Sequence, residues 1–138
     1  MSPLLRNILA VIVGLISGNV INMALIQLGY LVFPIEGLDP NDMEALAAVM
    51  PTLDAQYFIF PFLAHAVGTL SGAIIAAIIA TGNGMKPALV IGGLFLVGGI
   101  LVSFMIPAPT WFITMDIALA YIPMAWIGGK IGGLKKSE

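Results

Sequence analysis

Two residues carry chemistry into an otherwise apolar chain of 138 residues: Asp116 and His65. Asp116 is the one acidic residue inside the long apolar runs, and His65 is the sole histidine. An imidazole exchanges protons near neutral pH, and a carboxylate beside it stabilises or shares that proton, the pairing that intramembrane proton relays use. Asn22, Asn19, Ser103 and Thr69 are polar residues on the same runs, each able to hydrogen-bond to the pair. If the runs are helices with a midplane near Gly18, Thr69 and Ala120, then Asn22, His65 and Asp116 all lie about 6 Å to one side of it. Ser103 falls slightly further out and Asn19 slightly deeper. The spacing predicts one internal polar cluster.

A lone carboxylate in lipid costs at least about 2.5–3.5 kcal/mol on insertion scales, so Asp116 must face other helices and find partners. Protonation, pairing with imidazolium, or hydrogen bonds from Asn22, Asn19 and neutral His65 would each lower that cost. The competing reading is a satisfied polar knot that fixes helix register. A metal site is short of ligands with one His and one Asp, unless a second subunit doubles the set. Haem would need His65 from two chains or a methionine partner, and the sequence has no attachment motif. A serine nucleophile with His65 as base lacks a local motif. Neither a metal nor a cofactor is expected, and no residue is assigned a catalytic role.

The elements that position these residues are written in the composition. Hydrophobic residues make up 60% of the chain and charged ones 9%, with a mean hydropathy of +1.09. So few polar side chains cannot cover a water-exposed surface. Soluble enzymes and disordered regulators are excluded, and the net charge of -2 offers no basic field for nucleic acid. The absence of cysteine excludes disulfides and thiolate metal sites. Charge-free gaps leave room for four membrane spans near residues 7–28, 57–80, 87–106 and 110–129, the last two separated by Pro107 and Pro109. The expected fold is an all-α membrane protein of four transmembrane helices, forming a single domain over 1–138. Arg6, Lys86, Lys130, Lys135 and Lys136 fall on one side of this threading; Glu36, Asp39, Asp42, Glu44 and Asp54 fall on the other. The positive-inside rule then puts both termini in the cytoplasm and the 34–56 loop outside, with the first span a retained signal anchor.

Within that loop, Asp39 and Pro40 read as N-cap and first residue of a short amphipathic helix that Pro51 ends, with Met43, Leu46, Ala47 and Met50 on one face. Such a helix either lies flat on the outer membrane surface or forms a lid packed on the mouth of the bundle. Tyr30, Phe33, Tyr57, Phe58, Phe60, Phe62, Trp111 and Phe112 read as an outer aromatic belt, with Trp126 at the inner boundary. Lipid gives helices no hydrophobic reason to associate, so close backbone approach must supply the packing. Gly14 and Gly18, Gly68 and Gly72, and Gly128 and Gly132 are the expected contact points, with Gly92, Gly93, Gly98 and Gly99 on the third span and Gly129 and Gly133 on the fourth adding to them. Pro61 and Pro123 should each kink a span.

The run Met105-Ile106-Pro107-Ala108-Pro109-Thr110-Trp111-Phe112, followed by Asp116 and by Ala120-Tyr121-Ile122-Pro123-Met124-Ala125-Trp126, resembles a group of small four-span bacterial membrane proteins. Ala64-His65-Ala66-Val67-Gly68-Thr69 is its second landmark. The resemblance implies a bacterial inner membrane and carries no activity with it. The first span lacks the glutamate of small multidrug exporters, and the loop lacks the Trp and Cys pattern of claudin-like proteins. The expected partners are the lipid bilayer and either a second copy of this chain or another membrane protein. With almost no mass outside the membrane, the first expectation for function is a non-enzymatic membrane subunit or scaffold. A proton- or ion-coupled carrier of small solutes, acting as an oligomer around Asp116 and His65, is the alternative. A membrane-embedded enzyme acting on a lipid or quinone stands third. A cavity beside Asp116 would favour the last two, and a dry knot the first.

Overall fold

The computed structural model describes residues 1–138 and is helical throughout, with four helical segments long and apolar enough to cross a membrane. Helix α1 spans Pro3–Val32, opened by Ser2, whose hydroxyl accepts from Leu5 N–H at 3.2 Å, and by Pro3 at its first position. Its 30 residues extend about 45 Å, longer than a bilayer core and past both expected ends. A short helix α2 (Met43–Val49) follows in the loop, then two single 3-10 turns. Helix α3 is Ile59–Ile79 and α4 is Met85–Met105. The last span divides into α5 (Thr110–Leu119) and α6 (Ile122–Ser137).

Helix α3 is the centre of the bundle. It packs antiparallel to α1 so tightly that a Cβ on Gly14 would stand 2.6 Å from the Gly72 carbonyl, and one on Gly18 2.6 Å from the Gly68 carbonyl. Parallel to α3 on its other side runs α6, where a Cβ on Gly128 or Gly132 would meet Ala73 or Ala77 at 2.8 or 2.6 Å. All six expected contact glycines therefore stand at helix crossings. On α4, Gly92 and Gly99 meet Ala125 and Tyr121 of the fourth span, whereas Gly93 and Gly98 touch nothing within 4 Å, and neither does Gly133 on α6. Alanines and Ile91 fill the centre of this half, with Ala73, Ala76, Ala77, Ala88 and Ala125 fully buried.

The two chain ends and the 80–84 turn gather on one face of the bundle. There the last carbonyls of α3 are capped by cations, the favourable charge at a helix C-terminus. Arg6 Nε donates to Ile79 O at 2.7 Å, and Lys136 Nζ donates to Ala80 O and, at 3.0 Å, to Gly82 O. Asn7 Oδ1 accepts from Thr81 N–H at 2.8 Å. Gly82 turns the chain with φ of 68°, a conformation that favours glycine.

The loop face differs from expectation in three respects. The loop helix starts at Met43, capped by Asp42, whose carboxylate accepts from Ala45 N–H at 3.0 Å. Asp39 instead closes a turn over Pro40, accepting from Asn41 N–H at 2.9 Å, so the nearer aspartate takes the cap. Pro61 does not break its span, because it falls in the first turn of α3 where helical N–H groups lack intrahelical acceptors. Part of the aromatic belt also turns inward. Phe58 and Phe112 are buried with ring centroids 4.7 Å apart, and Trp111 packs edge-on against both.

Candidate functional site

Pro123 shapes the site from two residues beyond Tyr121 and seven beyond Asp116. Without an N–H it cannot bond the Leu119 carbonyl, and its ring crowds that carbonyl. The fourth span breaks at Ala120–Tyr121, Tyr121 taking φ -112° and ψ -80°, and Pro123 sits harmlessly in the first turn of α6. Asp116 thus lies in the last turn of α5, its carbonyl accepting from Ala120 N–H at 2.9 Å. In an unbroken helix, residues five apart point about 140° away from each other. The break swings Tyr121 round to face Asp116.

Three side chains meet there. His65 Nδ1 lies 2.9 and 2.8 Å from the two Asp116 oxygens, and the Tyr121 hydroxyl donates to Asp116 Oδ2 at 2.8 Å. The same hydroxyl is 3.1 Å from His65 Nδ1, and the two rings stack with centroids 5.8 Å apart. Tyr121 is 1% exposed, the Asp116 side chain 8% and the His65 side chain 22%. A carboxylate that accepts from Nδ1–H holds the imidazole in one orientation and stabilises the charge it gains on protonation. Nδ1 is thereby occupied. Nε2 has no partner in the chain, and it is not among the sealed unpartnered atoms.

Beside this triad lies a cavity of about 460 Å³, lined by His65, Asp116, Asn22 and Ser103 at its polar end. It reaches from mid-bundle to the loop, where Met43, Leu46, Met50 and Leu53 line it. Of the two expected arrangements for the loop helix, the structure has the lid. Toward the terminal face the bundle is filled by close-packed buried alanines.

Among the expected cluster residues, His65 and Asp116 touch, and Asn22 and Ser103 share their cavity. Asn22 Oδ1 is buried and receives no hydrogen bond, while Ser103 Oγ donates to Ile100 O of its own helix at 2.6 Å. Thr69 is fully buried one turn below His65, its hydroxyl without a partner and outside the cavity. Asn19 does not join the cluster. It follows Gly18 by one residue, about 100° round the helix, so it leaves the face that packs on α3. It is exposed and donates back to Leu15 O at 2.9 Å.

Depth counting alone missed Tyr121. Its signal was Pro123 two residues on, which marks where a helix must restart. Gly99, one of the expected packing glycines, makes room for Tyr121 in particular: a Cβ there would overlap the Tyr121 hydroxyl. No group of three or more His, Cys, Asp or Glu residues comes together to hold a metal.

Fold and site together define a four-helix membrane protein with a His-Asp-Tyr triad, of which His65 and Asp116 line a cavity. No protein-family model, curated protein or solved structure matches the chain.

Proposed function

We propose that this chain is a small proton-coupled carrier of the bacterial inner membrane, with cytoplasmic termini, that binds a lipophilic solute in the cavity and exchanges a proton with it at His65 Nε2. The observation that carries this reading is the cavity lined by His65 and Asp116, with Tyr121 buried behind them. A purely structural knot needs no adjoining space, so the cavity favours the carrier over the scaffold reading. A cavity placed between mid-bundle and the loop helix that covers it, with alanines close-packed on the terminal side, fits a carrier whose site lies nearer one face. A span broken at the site, as this one is, is the form that binding sites of secondary transporters take. The basic residues gathered near the terminal face support the orientation.

In this reading Asp116 does not release the proton itself. It orients His65 and stabilises the imidazolium, and Tyr121 holds Asp116 in place. The test is flux in proteoliposomes loaded with a pH-sensitive dye and challenged with a panel of lipophilic weak acids and bases. Wild type is expected to accelerate the pH change for part of the panel, while Asp116→Asn, still folded, falls to the rate of empty vesicles. Flux indifferent to Asp116→Asn would sink the proposal.

A further inference from the structure

Resting on the cavity as a ligand site, we infer that its ligand is a lipophilic amine, bound as the ammonium with an N–H group toward His65. Charge and an unmet acceptor carry the argument. No Lys, Arg or Glu lines the cavity, so Asp116 is the only acidic or permanently charged group on its wall. Both groups within hydrogen-bond reach of the carboxylate, the Tyr121 hydroxyl and the imidazole Nδ1, are neutral donors when His65 is unprotonated. They satisfy its lone pairs and leave its charge uncompensated in a medium of low dielectric constant, where charge weighs most. Directing Nδ1–H at Asp116 turns the Nε2 lone pair away from it, where it is an acceptor without a partner in the chain.

An ammonium brings what this end of the cavity lacks, one positive charge and up to three N–H donors. A carboxylate or phosphate would add a second negative charge beside Asp116. An alcohol would donate one hydrogen bond and leave the charge unbalanced. The rest of the wall suits a carbon skeleton, with Met23, Met43 and Met50 offering adaptable apolar contact. Met23 and Val102 line the cavity and are also 55% and 44% exposed on the outside of the bundle. The edge between α1 and α4 therefore borders lipid, where a neutral amine partitions. The proton step balances: an ammonium N–H bond breaks and an Nε2–H bond forms. A cation facing the Asp116 carboxylate becomes a neutral amine facing an imidazolium–carboxylate pair.

The experiment measures binding of decylammonium, decanol and decanoate to the full chain in zwitterionic nanodiscs, with empty discs subtracted. A charge-assisted hydrogen bond in place of a neutral one should favour decylammonium over decanol by about tenfold, with decanoate weakest. Asp116→Asn should erase that preference. The ranking in the wild-type chain decides the matter even if the variant fails to fold. Decanol binding as well as decylammonium, or decanoate binding better, would overturn the amine assignment while leaving the cavity a ligand site. Saturable binding of none of the three would overturn both.

Discussion

At the scale of residues, Asp116, His65 and Tyr121 form a unit in which each member satisfies another, so their removal should not be additive. Taking away one partner strands a polar group in the interior, at a cost of about 1–3 kcal/mol. We predict that His65→Ala and Asp116→Ala are coupled by more than about 0.5 kcal/mol in a double-mutant cycle read by unfolding in detergent. Asp116→Asn should keep the fold, since its amide oxygen still accepts from Nδ1–H. Additive single changes would mean that the two side chains do not meet in the membrane. A second cycle tests the break in the fourth span. Gly99→Ala drives a methyl into the Tyr121 ring and hydroxyl, an overpacking expected to cost about 1–3 kcal/mol. Tyr121→Phe removes the atom most crowded by that methyl, so the double variant should lose less than the two single variants combined. The pairing of His65 with Asp116 was legible in the sequence, because depth along a helix follows from counting. The part of Tyr121 was not, because counting assumes an unbroken helix and rotates Tyr121 away from Asp116. Asn19 failed for the complementary reason: depth places a residue along the axis and says nothing of the face it occupies.

At the scale of elements, glycine spacing carried most of the packing. The pairs on α1 and α3 recur every four residues, which keeps them on one face, and the two faces meet with backbone against backbone. A carbonyl cannot yield as a flexible side chain can. Gly14→Ala and Gly72→Ala should therefore each destabilise the bundle by about 2 kcal/mol or more, since the added methyl can be accommodated only by parting the helices. Gly93→Ala and Gly98→Ala are the controls from the same chain, because a Cβ there has nothing within 4 Å. Helix propensity alone then acts, and these two changes should be neutral or stabilising by up to about 1 kcal/mol. Thermal unfolding of all four variants in one detergent makes the comparison, and equal losses in both pairs would refute the close α1–α3 approach. Glycine counts could not separate these two groups beforehand. Gly92 and Gly93 are adjacent in sequence yet about 100° apart on the helix, and only the neighbour's position decides which is covered. The loop helix shows the same limit, since Asp39 and Asp42 both suit an N-cap, and the turn over Pro40 settles the choice.

At the scale of the whole molecule, two of the charges on which the proposed orientation rests also hold the chain together. Arg6 and Lys136 bind the carbonyls that end α3, so the face that gathers the termini is cationic and structurally closed, while the loop face carries the acidic residues and covers the cavity. Capping of α3 gathers these cations on one face, and in the proposed orientation the positive-inside rule puts that face in the cytoplasm. Because the chain has no cysteine, single introduced thiols report topology without background. Asn83→Cys lies in the turn beside the terminal face, and Asp39→Cys lies in the loop. In intact cells, a membrane-impermeant maleimide should label position 39 and spare position 83, and permeabilisation should expose position 83. Arg6→Glu combined with Lys136→Glu should weaken that asymmetry and lower stability at once, by removing the orienting charge and replacing both caps with like-signed repulsion at a helix C-terminus. Labelling of position 83 from outside in the unaltered background would reverse the orientation, and with it the side of the membrane from which a solute enters the cavity.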